Sequence, residues 1–288
     1  MSLNPGPAAG PIAGPDPTQS RVYGYLNGGQ DAFAADRALA AALRKIFPGI
    51  GEVVRENRVC VNWRVPGYLA RQGFRQFLDL GCGMPVEPLL HESVKAVTPC
   101  ARVVYVDQDP HVVVHGRALY RGHGLAMVEG DAADVYALLD DPDVREILDP
   151  DQPVAVVAGA LMHFMDDHEA RGMVDDLAAS MAAGSVLVFS HVTGDDVTEE
   201  DAAAARDLYE EHVGLIFLRS ESEILDLLGE RALLAGLCRT YELLPEHPDD
   251  VALARQTPAP HFYAGILELS PDPVRGTTIV PSHEGTPR

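Results

Sequence analysis

Apolar positions along this chain fall into two alternating rhythms. Short β-rich runs occupy 75–80, 102–106, 125–129, 154–159 and 185–191. Between them, helical spacing covers 86–97, 110–120, 134–148 (interrupted by Pro142) and 167–181. Strands that alternate with helices predict right-handed βαβ crossovers and a mostly parallel sheet covered on both faces. Two further helices are predicted ahead of this array, over 31–47 and 50–72, and two after it, over 198–212 and 220–228. Residues 233–243 and 261–269 are predicted to be closing strands. The fold expected is a doubly wound α/β domain with an N-terminal helical extension.

The ends break this pattern. Pro5, Pro7, Pro11, Pro15 and Pro17, with Gly6, Gly10 and Gly14, predict a disordered arm over 1–18. A similar composition predicts a flexible tail over 271–288. One domain is expected over 19–270, with a helical extension at 19–73 and the α/β core at 74–270. The chain has 288 residues, a formal net charge of −21 and 47% hydrophobic residues. That charge argues against non-specific contact with phosphate backbones or anionic membranes. No uninterrupted apolar run reaches the length that spans a bilayer. Cys60, Cys82, Cys100 and Cys238 form no C-x-x-C pair, and the first residues lack the pattern of a signal peptide, so a cytoplasmic protein is expected.

In a doubly wound sheet, ligands bind beyond the carboxyl ends of the strands, which makes the residues after each strand the informative ones. The first strand runs into Asp79-Leu80-Gly81-Cys82-Gly83-Met84-Pro85. Two glycines in a strand-to-helix turn let a ligand approach the backbone, but Val86 stands where a dinucleotide fingerprint needs its third glycine. Asp79 is suited to a cationic group rather than to a phosphate. The second strand ends at Asp107, 24 residues after Gly83, where a carboxylate can accept from both hydroxyls of a ribose. The third ends Glu129-Gly130-Asp131-Ala132, where Asp131 could accept from an adenine amino group.

In order, separation and placement these three segments resemble the binding site of the class I S-adenosylmethionine-dependent methyltransferases. The resemblance implies S-adenosyl-L-methionine as cofactor, with the methionine end at Asp79, Gly81 and Gly83, the ribose at Asp107 and the adenine at Asp131. It also implies a last strand inserted antiparallel between its neighbours. A narrower resemblance rests on Ser20-Arg21-Val22-Tyr23-Gly24-Tyr25-Leu26-Asn27-Gly28-Gly29-Gln30-Asp31, Glu56-Asn57-Arg58, Gly83-Met84-Pro85 and Arg219-Ser220. These segments are similar to a mostly actinobacterial family of S-adenosyl methyltransferases, formerly a domain of unknown function, which identifies no acceptor.

Tyr23 and Tyr25 with Gly28 and Gly29 are expected to form a lid over the cofactor, or to staple the first helix to the core. Ala158 and Gly159, small residues at the end of the fourth strand, would let the cofactor lie close. His163 follows them and is the candidate general base or substrate-orienting group; the alternative is a histidine that bonds backbone or walls the pocket. His111 and His115 lack the glutamate of a zinc helix, and no metal site is expected. The basic run from Arg37 to Arg75 is most simply a set of solvated helix faces, and no nucleic-acid partner is expected. The segment Gly194–Leu218 is expected to cap the acceptor pocket. The reading is a methyltransferase acting on an O, N or C nucleophile of a small molecule. Two alternatives stay open: a non-catalytic S-adenosylmethionine-binding sensor or partner, and a nicotinamide-dependent oxidoreductase, disfavoured by Val86 and Asp79. Oligomeric state is not legible.

Overall fold

The computed structural model describes residues 15–245, 257 and 259–269. The arm over 1–18 and the tail over 271–288 therefore lie largely or wholly outside the described residues. The five central β-rich runs become β1 (Gln76–Leu80), β2 (Arg102–Asp107), β3 (Leu125–Glu129), β4 (Ala155–Ala158) and β5 (Val186–Val192). Two further strands follow, β6 (Cys238–Arg239) and β7 (Phe262–Glu268). The sheet order is β3-β2-β1-β4-β5-β7-β6. β1 to β5 pair in parallel, and β7 lies antiparallel to both β5 and β6. The antiparallel insertion of the closing strand is thus as the family resemblance implies. The strand order reverses between β1 and β4, which sets the crevice beyond their carboxyl ends.

Side chains alternate between the two faces with the period of a strand. Phe77, Val103, Tyr105, Ala155 and Val157 face one core, while Leu78, Val104, Val106, Val156 and Leu187 face the other. Helices α4 (Val65–Arg71), α5 (Leu90–Val97) and α6 (Pro110–Leu119) cover the first face. The second is covered by α7 (Val135–Asp140), α8 (Pro142–Ile147), α9 (Asp167–Ser180) and α11 (Glu221–Leu228). Burial on both sides explains the continuous apolar composition of the central strands.

Several elements differ from expectation, each for a local reason. The helix expected from 86 begins only at Leu90, because Pro85 and Pro88 push the residues before them out of helical backbone. Pro85 is therefore not a first helical residue. Pro142 splits the 134–148 helix outright, with Asp141 accepting from the Asp143 and Val144 N–H groups as the cap of α8. The strand expected over 233–243 reduces to β6 and a single bridge from Leu233 to Leu267, because Gly236 turns the chain with φ +73°.

The N-terminal extension holds more helix than predicted. α1 (Gln19–Leu26) occupies the segment expected to be a lid, followed by α2 (Ala34–Ile46) and α3 (Ile50–Val59). These three share a small core of Val22, Leu26, Leu39, Leu43 and Val54, and α2 also packs on α10 (Glu199–His212). Between α3 and α4, Cys60–Arg64 forms a π-helical turn. Pro66 has no N–H to give the Asn62 carbonyl four residues back, and the wider turn accommodates that loss.

Candidate functional site

A cavity of about 500 Å³ opens beyond the carboxyl ends of β1, β2, β3 and β4. This is within the range usual for small-molecule sites. It brings together Asp79, Gly81, Gly83, Asp107, Asp131 and Gly159, all predicted from the sequence. The turn after β1 is left-handed at both glycines, with φ +62° at Gly81 and +67° at Gly83. A side chain at Gly81 would put Cβ 2.6 Å from Leu161 Cδ1, whereas Cβ at Gly83 would meet no atom within 4 Å. Gly83 is therefore where backbone borders open space.

The three carboxylates sit in different electrostatic settings. Asp107 accepts from the Gly83 N–H at 2.8 Å and, through its other oxygen, from the Asp109 N–H at 2.9 Å. Burial raises its pKa, and these N–H groups partly offset the rise. Asp79 is 3% exposed, and burial pushes its carboxyl up to about 7. Arg58 opposes that rise, Asp107 adds to it, and Asn62 Nδ2 donates to Asp79 at 3.3 Å. Asp131 is exposed at the rim and accepts from the Ala133 N–H at 2.9 Å, in the turn after β3.

Two of the groups facing Asp79 were not singled out as site residues in the sequence. Arg58 lies in the Glu56-Asn57-Arg58 segment, where it looked like one more base of a solvated helix face. It is instead 4% exposed, lines the cavity and donates from Nε to the Val86 carbonyl at 2.7 Å. Among the described residues its outer guanidinium nitrogens make no hydrogen bond, although the guanidinium is coupled electrostatically to Asp79. A buried cation beside a buried carboxylate suits a ligand that carries both charges. Asn62 sits on the π turn, where an extra residue shifts the helical phase, so helical periodicity could not have placed it at the site. Other bases of the 37–75 run pair locally, Arg64 with Glu56 and Arg75 with the Ala70 and Phe74 carbonyls.

The roof comes from the N-terminus. Thr18, the last residue of the expected arm, caps α1 and lines the cavity with Gln19, Ser20 and Tyr23. Tyr23 OH accepts from Asn57 Nδ2 at 2.8 Å, which fixes the ring against α3. Arg21 and Asp36 form a buried ion pair with Nε and Oδ2 2.9 Å apart.

Five predicted residues lie elsewhere. Ala158 is fully buried within β4, and the lining there is provided by Gly159 and Ala160. Tyr25 lies under the Arg44 guanidinium, 5.4 Å from its ring centroid, and does not line the cavity. Gly28 and Gly29 border a separate cavity of about 210 Å³ beside Met84, Pro85 and Val86. At Gly29 a Cβ would fall 2.8 Å from Val86 Cγ2, so close packing explains that glycine. His163 is 3% exposed and does not line the cavity. Its Nδ1 faces the Val192 N–H at 3.5 Å, and its ring lies among Phe164, His191 and Phe262. Burial, with His191 and Arg219 nearby, holds its pKa well below the ordinary histidine value. The ring thus lies behind Phe164, which lines the cavity in its place.

The cavity thus sets opposite charges at Asp79 and Arg58 on one wall, with the carboxylates of Asp107 and Asp131 along the ends of the neighbouring strands. A family model described as S-adenosyl methyltransferase matches residues 7–269. A solved structure from Thermobifida fusca YX, assigned as a methyltransferase, is 34% identical with a TM-score of 0.79, over 88% of this chain and 95% of that one. A DUF574 family protein from Streptomyces avermitilis MA-4680 is 30% identical with a TM-score of 0.82, over 88% and 97%. No functionally curated protein matches. No helix among the described residues is long and apolar enough to cross a membrane. The chain belongs to the S-adenosyl methyltransferase family, a methyltransferase whose cofactor is S-adenosyl-L-methionine.

Proposed function

We propose that the cavity holds S-adenosyl-L-methionine with its amino-acid end between Asp79 and Arg58, its ribose on Asp107 and its adenine at Asp131. The chain then methylates an O, N or C nucleophile of a small molecule. The observation that carries this reading is the pairing, on one cavity wall, of a buried carboxylate and a buried guanidinium whose outer nitrogens make no hydrogen bond among the described residues. Either charge alone would be costly there, and a zwitterion satisfies both.

Bound S-adenosylmethionine supplies a methyl group activated by a sulfonium. The residues of this chain contribute alignment and exclusion of water. Asp79, held by Asn62, would accept the ammonium, and Arg58 the carboxylate. The glycine turn lets both approach the backbone. α1 closes the cavity from above, and the Tyr23 face offers favourable contact to a cation. Positive charge leaves sulfur during transfer, so keeping Asp79 on the ammonium and away from the methyl avoids stabilising the ground state alone. The acceptor would enter beside Ala160 and Phe164, under the 194–218 segment.

A non-catalytic cofactor-binding protein is the second reading, favoured by the withdrawal of His163 from the cavity. Calorimetric titration with S-adenosylmethionine, S-adenosylhomocysteine and a nicotinamide dinucleotide tests the cofactor assignment. Micromolar binding of the first two but not the third is expected. Binding of the dinucleotide alone would overturn it. Methyl transfer from labelled cofactor to any member of a small-molecule panel would exclude the second reading.

A further inference from the structure

Arg219 lies outside the cavity, yet its contacts converge on the cavity wall. It is 5% exposed and sits between the 194–218 segment and α11. A guanidinium has five N–H donors in a fixed fork, and here all five are used. Nε donates to Asp167 Oδ1 at 3.0 Å, and Nη2 donates to the same oxygen at 2.8 Å and to the Met165 carbonyl at 2.8 Å. Nη1 donates to the Met162 carbonyl at 3.1 Å and to His191 Nε2 at 2.9 Å.

The last bond fixes a tautomer. Arginine only donates, so His191 Nε2 must accept, and the ring proton sits on Nδ1, which donates to the Val192 carbonyl at 2.7 Å. His191 is then neutral, which removes charge repulsion against Arg219. The two carbonyls that Arg219 holds lie at either end of a single 3₁₀ turn, Met162–Phe164. Leu161, Phe164 and Met165, in and around that turn, line the cavity, and Leu161 also touches the glycine turn at Gly81. The Phe217 N–H donates to the His163 carbonyl at 2.8 Å, adding a second tie from the same segment.

We infer that Arg219 is a positioning residue for the cofactor. By clamping both ends of the turn after β4, it fixes the apolar wall formed by Leu161, Phe164 and Met165. This inference rests on the reading that the cavity holds S-adenosylmethionine. Lysine in its place keeps the charge but has three donors on a flexible stem and cannot reach both carbonyls, the carboxylate and the imidazole together.

The test is the dissociation constant of S-adenosylhomocysteine, with thermal unfolding in parallel. Arg219→Lys is compared with Leu227→Ala, a buried α11 residue that does not line the cavity. Arg219→Lys should weaken binding by about tenfold or more. Leu227→Ala, although it lowers the unfolding temperature, should change binding less than twofold. If both weaken binding only in proportion to lost stability, Arg219 is merely structural and the inference fails. Asp167→Ala removes the acceptor of two of the five bonds at an exposed position, so it stays folded if Arg219→Lys does not. It should weaken binding at least threefold, and unchanged affinity in that variant overturns the inference equally. Asp107→Ala run alongside separates the two failures: unchanged affinity there indicts the cavity reading itself, whatever Arg219 does.

Discussion

Thr18 Oγ1 donates to Asp109 Oδ2 at 2.8 Å, joining the start of α1 to the residue that caps α6. The other oxygen of Asp109 accepts from the His111 N–H at 2.9 Å. One carboxylate thus ends a helix and anchors the roof above the cavity. Thr18 also accepts from the Arg21 N–H as the N-cap of α1. Thr18→Val should therefore lose about 1–2 kcal/mol in urea unfolding, with an unchanged denaturant slope.

The Arg21–Asp36 pair behind this contact is more sensitive. Asp36 is fully buried, and Arg21 is its only charged partner among the described residues. Arg21→Met leaves that carboxylate with backbone donors alone, and a loss of about 3–5 kcal/mol is expected in equilibrium unfolding. A loss below about 1 kcal/mol would show that the pair is not buried as described.

Asp107 accepts two backbone N–H bonds and retains lone pairs toward the cavity. Asp107→Ala should weaken S-adenosylhomocysteine by about ten- to a hundredfold, the scale of hydrogen bonds to a charged group. Calorimetry measures this directly.

With the ligand ammonium at Asp79, as proposed, cofactor binding should depend on pH. Its pKa of about 7 is raised above the free value, so the unliganded protein is mostly protonated there at pH 6. A ligand ammonium requires the ionised form. Affinity should therefore rise as pH increases through about 7, and binding at pH 6 should release a proton, detectable by calorimetry in buffers of differing ionisation enthalpy. For stability the sign is opposite: the folded state holds the proton more tightly, so Asp79 loses stability for the unliganded fold as pH rises from the free carboxyl value to about 7. Asp79→Asn should abolish both dependences. Arg58→Met removes the group that opposes the rise, so it should move the midpoint upward while also weakening binding.

Gly81→Ala places a side chain at φ +62°, 2.6 Å from Leu161 Cδ1. A loss of at least about 1–2 kcal/mol from backbone strain alone is expected in thermal unfolding, with weaker cofactor binding through the displaced Leu161.

The strands and the acids at their ends were legible because both depend on local pattern: continuous apolar runs, and turn residues at fixed offsets. β1, β2 and β3 with Asp79, Asp107 and Asp131 follow from that alone. What escaped depends on contacts distant in sequence or on irregular backbone. Arg58 looked like its exposed neighbours, and only the packing of α3 against α1 and the reach of Arg58 to the Val86 carbonyl bury it. Asn62 sits on a π turn, where helical phase slips. α1 falls in the segment expected to be a lid, where Gly24 lies close against Met84 and Val86. His163 has the right position in the chain, but the turn after β4 gives the cavity to its neighbours.

The antiparallel insertion of β7 has a consequence for synthesis of the chain. β5 pairs with β7 along its whole length, from Val186 with Glu268 to Val192 with Phe262. Until that segment leaves the ribosome, one side of β5 is an open row of backbone donors and acceptors bordered by Leu187, Val188 and Phe189. Nascent or truncated chains that stop before Phe262 would carry that adhesive edge, a template for pairing with other chains. The strand that covers this side of β5 is thus made after the rest of the described sheet.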